Sequence, residues 1–186
     1  MKLIDVQKKI LRLIEEINPK GTKFEELTDD PDIKEKLNDV IDQVQFELCK
    51  IKKIPVKELI SVKEGQEINV IEDFDAFFQL NKIKGVKYEQ EDNFITFLED
   101  GTASVYYYKF PTRITRDTNE NKYTFECTDD VIECLVYGVA ADVLKSDVAN
   151  NYGQVYANRF EELKQSLDPR YGKGNAIVCD DGIELF

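Results

Sequence analysis

The chain has 186 residues, of which 42% are hydrophobic and 33% are charged, as is usual for one folded domain. Its formal net charge of -12 makes it strongly acidic. An acidic surface repels phosphate backbones and anionic lipid heads, which argues against sequence-independent nucleic-acid binding and against membrane association. The first ten residues carry too many charges for a signal-peptide core or a membrane span, so we expect a soluble cytosolic product.

The residue types also limit the chemistry that the chain can perform. It contains no histidine, which removes the commonest general base and the commonest metal ligand. Its four cysteines are scattered and form no Cys-x-x-Cys pair, so we interpret them as free apolar thiols. Neither common glycine-rich phosphate-binding motif is present. We therefore predict no enzymatic activity, no cofactor and no metal, and an enzyme using carboxylates or lysines is the least favoured alternative.

Two helical patterns occupy residues 1–55. The first is a helix that ends at Asn18-Pro19, and its apolar residues recur every three or four positions. The main stripe of this helix consists of Leu3, Val6, Ile10, Leu13 and Ile17. A second stripe lies beside it and is formed by Ile4, Leu11 and Ile14. Because this face is wider than packing on one neighbour requires, Leu3, Val6, Ile10 and Leu13 are candidate subunit-interface residues.

The second helix has a clear start signal. Asp30 is a good N-cap and Pro31 suits the first helical position, while Pro55 ends the segment. Another acidic residue, Asp32, lies where the helix dipole favours negative charge, so this cluster is better explained by capping than by a calcium site. We expect the two N-terminal helices to form an antiparallel hairpin.

Residues 56–127 are predicted to be rich in strands. Segments 94–98 and 102–110 flank Asp100-Gly101, which is typical of a hairpin turn because both positions favour positive φ. Segment 83–89 is expected to pair beside them and complete a three-stranded meander. A further hairpin is predicted from segments 113–116 and 122–126.

Aromatic residues are concentrated in this strand-rich part. A short helical turn at 72–78 is predicted to place three phenylalanines in the core. On the strand at 102–110, Tyr106 and Tyr108 face one side of the sheet and Tyr107 faces the other. A sheet packed on both sides explains this pattern. Alternatively, one face supplies aromatic anchors to an interface, which makes Tyr106 and Tyr108 candidate interface residues.

Residues 128–168 return to helix. Thr128 with two following aspartates indicates a helix start, and Gly138 in the next apolar segment permits another helix to approach closely. Gly138 is therefore a candidate interface position. After Asp168-Pro169, the tail is predicted to form a small hairpin or to lie extended on another subunit. Its candidate interface residues are Ile177, Val178, Ile183, Leu185 and Phe186.

These patterns predict an α+β fold. Its helical core consists of an N-terminal helix pair and two C-terminal helices, with an inserted antiparallel β meander and a C-terminal extended tail. We assign residues 1–168 to one domain, which is helical at 1–55, strand-rich at 56–127 and helical again at 128–168. Residues 169–186 form the tail.

The order of these elements along the chain resembles that of a known protein family. A helix pair is followed by a strand-rich insertion ending in the sequence YYYKFPTRIT at 106–115, by the helix LVYGVAADVL at 135–144, and by a last helix from Tyr152 to Leu163. Over nearly its whole length the chain resembles the neck proteins of tailed bacteriophages and prophages, the head-to-tail connectors or adaptors. We also consider a bacterial protein–protein interaction module that is unrelated to phage and has no catalytic role.

The resemblance implies a virion structural protein that forms a ring, typically of twelve copies, below the portal. Such a ring joins the portal to the tail and extends the DNA channel, through which DNA passes without specific binding. The implied partners are further copies of the chain, the portal protein and the tail-completion protein. The implied location is the virion neck, after synthesis in the cytoplasm of the bacterial host.

Overall fold

The computed structural model describes residues 1–145 and 151–167 of the chain. In these residues it has an α+β fold, which confirms the predicted class, with six helices and two three-stranded antiparallel sheets. The helices are α1 (Leu3–Leu13), α2 (Phe24–Leu27), α3 (Pro31–Ile51), α4 (Val70–Asp73), α5 (Asp129–Leu144) and α6 (Tyr152–Leu167). The strands are β1 (Ile54–Val62), β2 (Glu67–Asn69), β3 (Phe77–Lys84), β4 (Tyr88–Glu91), β5 (Phe94–Phe97) and β6 (Gly101–Lys109).

Helix α5 is the centre of the helical core. It is buried around most of its circumference, and α1, α3 and α6 all pack against it. Helix α3 runs antiparallel to α5, because Lys36 near its start donates to the Val143 carbonyl while Lys52 after its end pairs with Asp130. Both predicted N-terminal helices are present, but they do not pack together as the predicted hairpin. Each packs mainly on α5, and a buried hydrogen bond from Gln7 to Asn38 joins the two.

The helix boundaries agree with the sequence signals where capping chemistry decides them. The Asp30 carboxylate accepts hydrogen bonds from the backbone N–H groups of Asp32 and Ile33, and Pro31 begins α3 as predicted. Helix α1 ends at Leu13, earlier than the predicted stop at Asn18-Pro19. Two residues later, Glu15 has a φ of 63°, which is incompatible with a continuing helix.

The strands pair differently from the predicted meander. Strand β6 lies between β1 and β3, whereas β5 lies between β2 and β4, so the segments beside Asp100-Gly101 belong to different sheets. The predicted hairpin at this dipeptide is wrong. Gly101 instead pairs with Val62, and the Asp100 carboxylate accepts a hydrogen bond from the Glu64 N–H group. The turn that joins β4 and β5 contains Asp92, whose φ is 52°.

The second predicted hairpin, from segments 113–116 and 122–126, is also wrong. Within the described residues 111–127, strand pairing is limited to an isolated bridge between Lys2 and Thr124. Side-chain hydrogen bonds hold this segment in position, where a hairpin would have used backbone hydrogen bonds between strands. Asp42 on α3 is 7% exposed, and its carboxylate accepts from the Ile114 N–H group at 2.8 Å and from Arg113 at 2.6 Å.

The buried side chains form two clusters, one among the helices and one between the two sheets. The sheet cluster includes Phe74, whose ring lies 4.9 Å from that of Tyr107. Phe78 belongs instead to the junction with the helices, where it packs on Phe110, which in turn stacks on Phe46. Phe74 is therefore the only one of the three predicted phenylalanines that is buried in the core as expected.

Candidate interaction surfaces

The predicted interface stripe of α1 lies inside the protein. Leu3, Val6 and Ile10 are fully buried in the helical cluster, and only Leu13 of the four candidates is partly exposed. The assignment of the first three residues to an intersubunit contact is therefore corrected. The two stripes of α1 are explained by packing within the chain, which surrounds α1 with α2, α5 and the segment before α5.

Gly138 requires the same correction. A Cβ atom at this position would lie 2.7 Å from Cε2 of Phe160 and 3.1 Å from Cγ1 of Val44. The close approach that the glycine permits is thus made by α6 and α3 of the same chain, and Gly138 is buried. The small side chain serves the helical core and is not available to a neighbouring subunit.

An open groove of about 720 Å³ lies between α1 and α5. Its two walls carry opposite charges, with Lys9 and Arg12 on α1 and Asp129 and Glu133 on α5. The remaining lining residues are Met1, Leu13, Val136 and Tyr137. Such a groove offers an apolar floor and two charged rims, which is the chemistry that receives a segment of another protein.

Aromatic residues extend this groove along α6. Tyr137 of the groove lies 6.2 Å from the ring of Tyr156, which lies 6.4 Å from that of Tyr152. The Tyr156 hydroxyl donates to the Leu13 carbonyl at 2.7 Å, and burial raises the pKa of this tyrosine. Tyr152 and the nearby Val155 are 64% and 57% exposed, so the surface beside the groove is rich in accessible apolar area.

The outer side of the sheet β1–β6–β3 forms a second surface, here called the basic face. It contains both predicted tyrosines, which are partly exposed. Lys57 and Lys82 lie over the Tyr106 ring at 5.5 and 5.3 Å, and Lys53 lies over the Tyr108 ring at 5.1 Å. Residues that lie opposite one another on neighbouring strands have their side chains on the same face of the sheet. Among the described residues paired on the basic face, none is an aspartate or a glutamate.

The outer side of the sheet β2–β5–β4 has the opposite character and is called the acidic face. Glu67 and Glu89 flank Thr96, and Glu91 lies opposite Phe94, which is 45% exposed. A shallow depression of about 410 Å³ occupies this face, and Asp92 contributes to its rim. Sequence reasoning placed the two tyrosines on one face but missed the lysines around them and the whole acidic face, although the alternating lysines and glutamates of these segments are a period-two signal.

Burial suppresses the reactivity of two cysteines among the described residues. Burial raises the pKa of the Cys134 thiol to about 12 and that of Cys127 to about 11, which leaves very little nucleophilic thiolate at neutral pH. Burial also raises the pKa of Tyr107, as does its hydrogen bond to Glu58. Within residues 1–145 and 151–167, no group of three or more cysteine, aspartate or glutamate side chains is placed to hold a metal ion.

Two further predictions concern membrane-spanning helices and the C-terminal tail. Across the described ranges, no helix combines the length and the apolar character that crossing a membrane needs. The tail candidates Ile177, Val178, Ile183, Leu185 and Phe186 lie outside the described residues.

In comparisons with known proteins, no family model and no curated protein matches this chain.

Proposed function

We propose that this chain is a virion structural protein that joins portal to tail as a ring-forming head-tail connector and extends the DNA channel. The observation that carries the proposal is the groove between α1 and α5 with its aromatic extension on α6. It is a partly apolar surface on a rigid helical core, of the kind that receives another protein. In this role the chain acts without catalysing a reaction and without a cofactor or metal.

The order of elements supports the same role. A helical core with a strand-rich insertion gives two separate buried clusters, so that the helices can bind one partner while the strands bind another. The proposed partners are the portal protein, the tail-completion protein and further copies of the chain in a ring of twelve. The net charge of -12 is compatible with DNA sliding past the ring without being held.

The portal is the partner that we place in the groove. The test is to mix the chain with the portal encoded nearest to its gene and to measure the mass of the complex. Lys9→Glu combined with Glu133→Lys reverses both rims of the groove and is expected to weaken portal binding at least about tenfold. Lys20→Glu combined with Glu25→Lys is the matched control, because both residues are exposed and lie outside the groove.

The outcomes separate the candidate functions. A complex of defined stoichiometry that the groove variant weakens and the control variant leaves intact supports the connector role. If no complex forms at any salt or protein concentration, the proposal fails, and the interaction module unrelated to phage becomes the better account. A chain without residues 170–186 tests the tail, whose proposed contact is wrong if ring formation and portal binding are both unchanged.

A further inference from the structure

We propose that the basic face of one copy of this chain docks against the acidic face of a second copy, in a head-to-tail contact. The proposal deepens the connector role and rests on it for the ring that the contact would build. The two faces are patches of opposite charge on one chain, and Lys57, Lys82, Glu67 and Glu91 are all exposed.

The placement of the two faces makes the contact heterologous. Inner side chains of both sheets, among them Ile95 of β5 and Val105 of β6, share one buried cluster. The outer faces therefore point away from this shared core and away from each other. A face cannot reach its complement on the same chain, but it can reach the complement on a second copy. Repeated contacts of this kind generate rings or filaments and leave no symmetric pair.

Charge complementarity identifies the second copy as the occupant. The basic face carries Lys57 and Lys82 in a chain whose net charge is -12, so its charge is complementary to that of an acidic patch on another copy. The acidic face offers Glu67 and Glu91 around the accessible ring of Phe94. Leu59, which is 66% exposed and opposes Ser104 on the basic face, supplies an apolar contact on the other side.

The size of the faces determines how strong the contact is. Strands β2, β5 and β4 contain three, four and four residues. At strand spacings of about 4.8 Å and a rise of about 3.3 Å per residue, the acidic face covers roughly 200 Å². This is well below the roughly 800 Å² per partner of a stable complex, so we expect weak, salt-sensitive association of the isolated chain.

The experiment uses the concentration dependence of backbone amide shifts in nuclear magnetic resonance spectra of the full chain, because this signal detects weak contacts. Amides of both faces are expected to shift with concentration at low ionic strength, and high salt is expected to suppress the shifts. Lys57→Glu with Lys82→Glu, or Glu67→Lys with Glu91→Lys, is expected to abolish them. An equimolar mixture of these two variants is expected to restore association, because the unchanged acidic face of the lysine variant then meets the unchanged basic face of the glutamate variant, and the two changed faces are also complementary.

The control variant is Lys20→Glu with Lys122→Glu, which makes the same charge change on exposed residues outside both sheets. It is expected to associate like the unchanged chain. The proposal is overturned if the unchanged chain shows no shifts on the two faces at its highest soluble concentration, or if the mixture fails to restore association. It is also overturned if the basic face instead binds a single-stranded oligonucleotide and loses that binding in the lysine variant.

Portal binding, measured separately, distinguishes this failure from failure of the connector role. If the lysine variant forms the same portal complex as the unchanged chain, the face-to-face contact is wrong while the connector role stands. If the chain self-associates through the two faces but never binds the portal, the connector role is wrong while the contact stands.

Discussion

Removing the Asp42 carboxylate tests how the irregular segment before α5 is held in place. This carboxylate accepts from the buried Ile114 N–H group, and its loss leaves that donor without its partner, which costs about 1–3 kcal/mol. The ion pair with Arg113 adds little, about 0.2–1 kcal/mol, because the arginine side chain is 65% exposed. We therefore expect Asp42→Ala to lower the free energy of unfolding by about 1–4 kcal/mol.

Urea unfolding followed by circular dichroism measures this loss as a shift in the midpoint at an unchanged slope. Arg113→Ala is the first comparison and should cost more than the ion pair alone, since its guanidinium also lies 3.7 Å from the centre of the Phe46 ring. Glu35→Ala is the matched control, because its pair with Arg116 is exposed on both sides and should contribute less than about 1 kcal/mol. A loss for Asp42→Ala no larger than that for Glu35→Ala would refute the reasoning.

Gly138→Ala should destabilise the chain by about 1 kcal/mol, because overpacking against Phe160 outweighs the better helix propensity of alanine. Adding Phe160→Leu should recover part of this loss in a double-mutant cycle, and purely additive effects would contradict the contact. Burial opposes ionisation of Glu126, but hydrogen bonds including that from Lys109 hold its pKa below the ordinary value. Its stabilising effect is thus present above the unfolded pKa of about 4.3 and is lost as pH falls through the lower folded value. Glu126→Gln should flatten the acid limb of stability against pH, and an unchanged limb would contradict this assignment. Cys134 should react with a thiol reagent at pH 8 at least about a hundredfold more slowly in the native chain than in urea, and equal rates would contradict its burial.

Local signals in the sequence predicted the helices well. Asp30 and Pro31 define the start of α3 because capping depends on residues that are neighbours in the chain. The end of α1 was harder to place, since the turn at Glu15 has no glycine to mark it. Apolar periodicity located the buried stripe of α1 but could not show whether that stripe packs within the chain or against another subunit.

Strand pairing was beyond local reasoning because the partners are distant in the sequence. Asp100-Gly101 has hairpin chemistry, yet β6 pairs with β1, about forty residues earlier by the register Val62↔Gly101. The inserted strands and the α+β class could be predicted, whereas the two sheets could not. Without the pairing, Lys57 and Lys82 could not be placed on either side of Tyr106, and so the basic face could not be found.

The mass of the complex between this chain and the portal encoded nearest to its gene tests the connector role most directly. The account predicts a ring of defined stoichiometry on the portal, weakened by reversing the charges of Lys9 and Glu133 in the groove. Absence of any complex across a range of salt and protein concentrations would contradict it.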